Sequence, residues 1–160
     1  MNQINTLNEL ETKKILTKLN EQFGISSFPK NSLLAMRGKE RIYLFTGNLD
    51  EKQIPQIENI ANIEGIGVYF AKLDDKNNIR LTIEGTQLFK DQITKNIVEL
   101  NSTSQAEEWM MGRELNIETK LEGFVIIKFK DDFLGCGKSS PHLNKITNFI
   151  PKARRLKEKN

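Results

Sequence analysis

Cysteine and histidine are almost absent from this chain, which has one of each, Cys136 and His142, among its 160 residues. A single cysteine excludes an internal disulfide framework, and one cysteine with one histidine cannot build a zinc site. Nothing near Cys136 in sequence would lower its pKa, so we expect a small buried group. His142 has no partner that would make it a general base. We therefore expect no metal, no cofactor and no catalytic residues, and a protein that is not an enzyme.

Long apolar runs are also missing. No segment approaches the roughly 18 consecutive apolar residues of a membrane span. The first eight residues lack the apolar core of a secretory signal, and the chain has no repeats or low-complexity tracts. We expect a soluble protein in a reducing compartment, without a membrane partner. That compartment is the cytoplasm, or the nucleolus if the source is eukaryotic.

Enough apolar residues are present to form a packed core. The composition is 38% hydrophobic and 28% charged, which is typical of a globular protein and unlike a disordered one. A chain of this length can fold as one domain or as two small ones.

Positive charge is concentrated toward the C-terminus. Residues 138–160 include seven basic residues and one acidic residue, a net charge of +6, which leaves −3 for the rest of a chain whose net charge is +3. An acidic body followed by a basic segment suggests a polyanionic partner, above all nucleic acid. A solvated, frayed C-terminus is the alternative interpretation.

The N-terminal half combines helices and strands. Thr6 and Glu9 have the spacing of a capping box, which predicts a helix that ends near Phe23, before the stop signal Gly24. A second helix is predicted within residues 50–63, and a short one after residue 85. Strands are predicted at residues 41–46, 67–73 and 79–84.

A domain boundary is predicted near residues 93–96. A second capping box, Ser104 with Glu107, predicts a short helix that ends at Gly112. Strands are expected at residues 97–100, 124–129, 133–139 and 146–150. Because the strands form antiparallel hairpins without regular βαβ units, the pattern favours an α+β fold.

The segment FLGCGKSS, residues 133–140, invites comparison with a phosphate-binding loop because it ends in Gly-Lys-Ser. That motif needs a glycine where this chain has Asp132, and a helix after the lysine, where Pro141 follows instead. Nucleotide hydrolysis is therefore disfavoured. Gly135 and Gly137 either give RNA access to the backbone of a strand or form a packing bulge. The sequence leaves both interpretations open.

Two further side chains are candidates for a recognition surface. Trp109 is expected in the core between a helix and a sheet, whereas Arg113, just beyond the stop signal Gly112, is a candidate contact. Arginine side chains match phosphate bidentately, which makes the basic tail a stronger candidate than a random run of charge.

The C-terminal part, from about residue 97 to 156, resembles a PUA domain, a small RNA-binding β-barrel. The strings that carry the resemblance are AEEWMMG (106–112), EGFVII (122–127) and FLGCGK (133–138). The ending NFIPKARR (148–155) also looks like the PUA-like extension of Fmu/Sun-type RNA cytosine methyltransferases. Those enzymes carry a methyltransferase domain with catalytic cysteines, for which this chain has no space.

The N-terminal part looks like a pre-PUA domain, on the strings ELETK (9–13), RIY (41–43) and GVYFAK (67–72). The pairing is similar to a two-domain factor of large-subunit ribosome biogenesis shared by archaea and eukaryotes. The resemblance implies a small α/β pre-PUA-like domain at residues 1–94 and a PUA-like β-barrel with a basic tail at residues 95–160.

The resemblance implies a non-catalytic protein that binds ribosomal or pre-ribosomal RNA in rRNA processing or subunit biogenesis. Its N-terminal domain would contact protein partners. One alternative is an RNA-targeting accessory to an rRNA or tRNA methyltransferase, and another is a protein-interaction adaptor with a solubilising tail. The expected RNA-binding residues are Arg113, Gly135, Gly137, Lys138, Lys152, Arg154, Arg155 and Lys157.

Overall fold

A computed structural model describes residues 3–48, 50, 52–61 and 63–158 of the protein. Lys159, part of the basic tail, lies outside the described residues, as do Glu51 and Asn62 of the second predicted helix. No described helix is both long enough and apolar enough to cross a membrane. The elements are β1 (Ile4–Thr6), α1 (Glu9–Phe23), β2 (Ser32–Arg37), β3 (Arg41–Thr46), α2 (Gln53–Glu58), β4 (Val68–Leu73), β5 (Ile79–Leu81), α3 (Ile83–Leu88), β6 (Ile97–Glu99), α4 (Thr103–Met110), β7 (Gly123–Phe129), β8 (Asp132–Ser140) and β9 (Lys145–Asn148).

The first sheet is an antiparallel meander in the order β1-β2-β3-β4-β5. Its neighbours in space are its neighbours in sequence, so each pair is joined by a short connection or by a helix. Helix α1 covers one face, where Leu19 and Phe23 are fully buried against strand residues that include Ile42 and Phe70. The other face is partly covered by α2 through the buried Ile54.

Two sequence-predicted helix starts are wrong by two residues. Helix α1 begins after Asn8, whose side-chain oxygen accepts a hydrogen bond from the Glu11 amide at 2.9 Å, while Glu11 accepts from the Asn8 amide. Thr6 cannot cap the helix because it pairs with Ala35 in the first sheet. In the same way α4 is capped by Ser102.

Other differences from the predicted elements have local causes. Ile83 was expected at the end of a strand, but Thr82 accepts a hydrogen bond from the Gly85 amide and begins α3 there instead. Strands β1 and β2 were missed. The sequence SLLAMR of β2 lacks the alternation that marks a strand with one solvent-exposed face.

The second sheet has the order β6-β7-β8-β9, with β6 parallel to β7 and the other pairs antiparallel. An isolated bridge between Leu115 and Ile146 extends it on the β9 side. The mixed α and β content agrees with the α+β expectation. Within the described residues, however, no pairing joins β6 to β9, so the expected barrel is not a closed one.

The main hydrophobic core lies between the two halves of the chain. It combines Phe23, Phe70 and Phe89 of the N-terminal half with Phe124 and Phe133 of the C-terminal half. A second core, around Trp109, is built mainly from the C-terminal half. The two sheets therefore hold each other in a fixed orientation, and surfaces that span them can act as one site.

Candidate nucleic-acid interface

Gly135 and Gly137 are buried in β8. A Cβ at Gly137 would lie 2.6 Å from Cγ2 of Ile146 and 2.8 Å from Cη2 of Trp109. Gly135 has a φ of +94°, a conformation that side chains disfavour, and its Cβ would lie 3.3 Å from Ile83. These contacts favour the packing interpretation of both glycines over access for RNA.

Trp109 is fully buried, as predicted. Its indole Nε1 donates a hydrogen bond of 2.7 Å to the carbonyl oxygen of Leu134. The Asn148 amide group donates to the carbonyl oxygens of Trp109 at 2.8 Å and Arg113 at 2.9 Å, which ties the end of α4 to β9. The sharp turn of the chain after Trp109 thus depends on β8 and β9.

Contacts hold the basic tail against the protein from Lys152 to Leu156, and Glu158 beyond them pairs with Arg113. A short 3₁₀ helix, Lys152–Arg154, is followed by a hydrogen bond of 2.8 Å from the Leu156 amide to the Met110 carbonyl oxygen. Arg155 Nε donates to the Ile150 carbonyl oxygen at 2.9 Å. The Arg155 side chain lies over Gly112, where a Cβ would come within 2.2 Å of Nε. Residues 152–156 are therefore not a frayed end.

Arg154 connects the tail to the N-terminal half through an ion pair with Glu84 of α3. Partial burial raises the pKa of Glu84, but hydrogen bonds from Arg154, the backbone and Thr82 oppose this effect, and the net pKa lies below its usual value. Arg154 keeps half of its side chain exposed, so its guanidinium can still reach a ligand.

Arg113 lies just beyond the end of α4, in a cluster with two carboxylates. It pairs with Glu108 at 2.7 Å and with Glu158. The hydrogen bond that Arg113 donates to the Glu108 carboxylate is the main reason that the pKa of Arg113 is raised. With two acidic neighbours, Arg113 presents less net positive charge to a phosphate than the tail does.

Lys138 projects from β8 into a groove between the two sheets. Its Nζ lies 5.5 Å from the centroid of the Phe124 ring, and Phe124 makes an edge-to-face contact with Phe149 at 6.2 Å. The Arg80 guanidinium lies over the other ring, that of Phe149, at 4.5 Å from its centroid. Two cations thus flank a pair of aromatic rings.

The predicted residues are not all in one place. Lys138 lines the groove, and Arg154 lines a small cavity of about 100 Å³ beside it, together with Gly135 and Arg80. Arg155 and Arg113 lie near the end of α4. Lys152 and Lys157 are exposed on the tail between and beyond these sites. Sequence reasoning missed Arg80, although the alternation of Ile79 and Leu81 placed it on the opposite face of its strand.

Cys136 is buried and lies in the main core. The sequence predicted a small buried group here, and burial raises the pKa of the thiol to about 12, so the side chain is neutral. His142 is exposed in the 3₁₀ helix between β8 and β9.

Comparison with known proteins relates the C-terminal half to an RNA methyltransferase. Residues 95–156 match the family described as "Methyltransferase RsmF PUA domain". Over 129 residues the chain is 29% identical to "Ribosomal RNA small subunit methyltransferase F" of Aeromonas salmonicida (strain A449), and 30% identical to the protein of the same name from Aeromonas hydrophila subsp. hydrophila. Each alignment covers 80% of this chain and 25% of the relative, so the chain spans about a quarter of these relatives' length.

These findings correct one expectation and leave others as predictions. The expectation that the protein is not an enzyme is wrong, because both relatives carry the name of an rRNA methyltransferase. Identity with a pre-PUA biogenesis factor is unconfirmed, and a nucleolar location has no support. The domain boundary at residues 94 and 95 stays a prediction.

The sequence match and the fold agree on the C-terminal half. The family match begins just before β6 and ends at Leu156, the last tail residue hydrogen-bonded to α4. It therefore includes the whole second sheet, α4 and the tail up to Leu156. Residues 95–156 are a PUA-like domain of the type found in RsmF methyltransferases.

Proposed function

We propose that this protein supplies RNA recognition in the methylation of small-subunit ribosomal RNA. The observation that carries the proposal is the match of residues 95–156 to the PUA-like domain of RsmF methyltransferases. The 129-residue alignments with rRNA small-subunit methyltransferase F extend beyond that domain into the N-terminal half, which supports a shared function for both halves.

The charged groups of the C-terminal half support RNA binding through phosphates. Lys138 and Arg154 face the space between the two sheets, and Lys152 lies exposed in the 3₁₀ helix beside Arg154. The fold holds their backbone in place, so little backbone conformational entropy is lost when phosphates bind. Gly135 and Gly137 act indirectly in this proposal, by letting β8 pack closely and fixing the position of Lys138.

Fluorescence anisotropy with labelled RNA tests the proposal. We expect the protein to bind small-subunit rRNA fragments more tightly than large-subunit fragments of equal length. If four to six phosphates are neutralised, the slope of log K against log salt concentration should be about −3 to −4 for a single strand. Equal affinity for both RNAs, or binding without salt dependence, would contradict the proposal.

A charge-matched pair of variants identifies the surface. Changing Lys138, Lys152 and Arg154 together to glutamine should weaken binding and reduce the slope by about 2, because each phosphate contact contributes about 0.7. The matched control changes three exposed lysines elsewhere, Lys13, Lys30 and Lys90, to glutamine. Equal loss in both variants would show that net charge alone drives binding.

A further inference from the structure

A row of basic side chains crosses the first sheet at one end of its strands. In the strand register, Arg41 of β3 is paired with Lys72 of β4, and Lys72 is paired with Arg80 of β5. Directly paired residues project from the same face of a sheet. This is the face opposite α1, because the neighbouring residues Ile42, Ala71 and the strand β5 residues on either side of Arg80 enter the core beneath that helix.

The surroundings of Tyr69 agree with this orientation for Arg41 and Arg80. Partial burial raises the pKa of Tyr69, while the positive charges of Arg80 and Arg41 oppose that rise, so both guanidiniums lie near the same phenol. Arg41 is exposed, and Lys72 and Arg80 are half-buried. All three are therefore accessible from one side of the sheet.

Such a row of like charges lowers the stability of the folded protein when no ligand is bound. Like charges directly opposite one another on antiparallel strands are destabilising. Among the described residues, Lys72 forms an ion pair with Glu40 at 3.2 Å, and this is the only ion pair of the row. An anionic ligand bound to the folded protein would relieve the repulsion among these three side chains.

The row continues onto the second sheet. Arg80 stacks on Phe149, Phe149 contacts Phe124, and Lys138 stands over Phe124. Lys72, Arg80 and Lys138 line one open groove of about 260 Å³ between the sheets, and the carboxylates of Glu40, Asp74 and Asp75 line it as well. The N-terminal cations thus lead directly to the Lys138 surface of the PUA-like domain.

We propose that Arg41, Lys72 and Arg80 form a second RNA-binding surface, which holds the sugar-phosphate backbone of a strand that continues to Lys138. Neighbouring strands are about 4.8 Å apart, so the three cations span roughly 10 Å, a length of nucleic-acid strand that contains about three phosphates. A line of cations with adjacent aromatic rings fits a nucleic-acid strand better than a compact anion. The inference rests on the proposed function and assigns part of the RNA contact to the N-terminal half.

The double variant R41Q/K72Q tests this surface in the full chain. Loss of two phosphate contacts should make the salt slope less steep by about 1.4, which corresponds to about 25-fold weaker binding at 0.1 M salt and little change at 1 M. Arg41→Lys together with Lys72→Arg keeps both charges and should bind nearly as the wild type does. The control K13Q/K90Q removes two lysines that lie outside the row and should also leave affinity unchanged.

The outcomes separate the inference from the proposed function. If wild type binds RNA and R41Q/K72Q binds with the same affinity and slope, the second surface is wrong and the proposed function stands. If wild type binds no RNA, both are wrong. Equal loss in K13Q/K90Q would also overturn the inference. Urea unfolding of R41Q/K72Q shows whether it is folded, and Arg80→Gln, measured separately, gives the same test at a different position.

Discussion

At the scale of single residues, the segment that invited comparison with a phosphate-binding loop serves packing. Gly137 allows Trp109 and Ile146 to meet across β8, and Cys136 lies in the main core. The positions of the basic side chains, by contrast, depend on how neighbouring elements pack together. Lys138 and Arg80 are far apart in sequence, yet they flank the same pair of aromatic rings.

Gly137→Ala should destabilise the protein. The added Cβ would overlap Trp109 and Ile146 in a packed core, and overpacking of this kind costs about 1–3 kcal/mol. Urea unfolding measures the loss. An unchanged unfolding midpoint combined with weaker RNA binding would instead favour the backbone-access interpretation of this glycine.

Cys136 should be unreactive in the folded protein. Because burial raises the pKa of its thiol to about 12, almost no thiolate is present at pH 8, and the sulfur is shielded from solvent. A thiol reagent such as 5,5′-dithiobis(2-nitrobenzoic acid) should modify it only after urea unfolding. Rapid modification of the native protein would contradict the burial of this side chain.

At the scale of elements, hydrogen bonds at chain ends decide where structure begins. Both Thr6 and Asn8 have a glutamate three residues later, the spacing of a capping box. Asn8 caps α1, whereas Thr6 lies in β1. The tail is fixed in a similar way, by contacts with α3 and α4 that no local pattern in its sequence reveals.

Asn8→Ala should lower the free energy of unfolding by about 1 kcal/mol, the usual cost of losing a side-chain cap. Thr6→Ala should change it less, because Thr6 does not cap the helix. Chemical unfolding followed by circular dichroism compares the two variants. A larger loss of unfolding free energy in Thr6→Ala than in Asn8→Ala would show that Asn8 is not the cap.

The Arg154–Glu84 ion pair should make the attachment of the tail dependent on pH. The folded-state pKa of Glu84 is lowered, so its contribution is present above the unfolded-state value near 4.5 and is lost as the pH falls through the lower folded-state value. Since both side chains are substantially exposed, the contribution is about 0.2–1 kcal/mol.

Comparison of wild type with Glu84→Gln measures this contribution. The wild type should be the more stable protein at pH 7, and the difference should shrink as the pH falls below the unfolded-state pKa near 4.5. A difference that stays constant across this range would show that the carboxylate charge is not involved.

At the scale of the whole molecule, the sequence predicted much of the C-terminal half and less of the surface that joins the halves. The hairpin of β7 and β8, the burial of Trp109 and the resemblance to a PUA domain followed from local strings. The parallel pairing of β6 with β7 could not, because it depends on contacts between segments about 29 residues apart. The row of Arg41, Lys72 and Arg80 was hidden for the same reason, since only strand pairing brings these residues together.

The shared core fixes the positions of these cations relative to the second sheet. Because Phe23 and Phe70 pack in one cluster with Phe124 and Phe133, the two sheets present their cations in a fixed relation. An RNA strand that contacts Lys138 therefore meets Arg80 without any rearrangement of the halves.

Lysine footprinting tests the central claim, that RNA lies across both halves, most directly. The protein is acetylated with and without a small-subunit rRNA fragment, and the modification of each lysine is measured by mass spectrometry. Lys72 and Lys138 should be protected by the RNA, while Lys13 and Lys90 should react equally in both samples. Protection of neither Lys72 nor Lys138, or equal protection of all four lysines, would contradict the account.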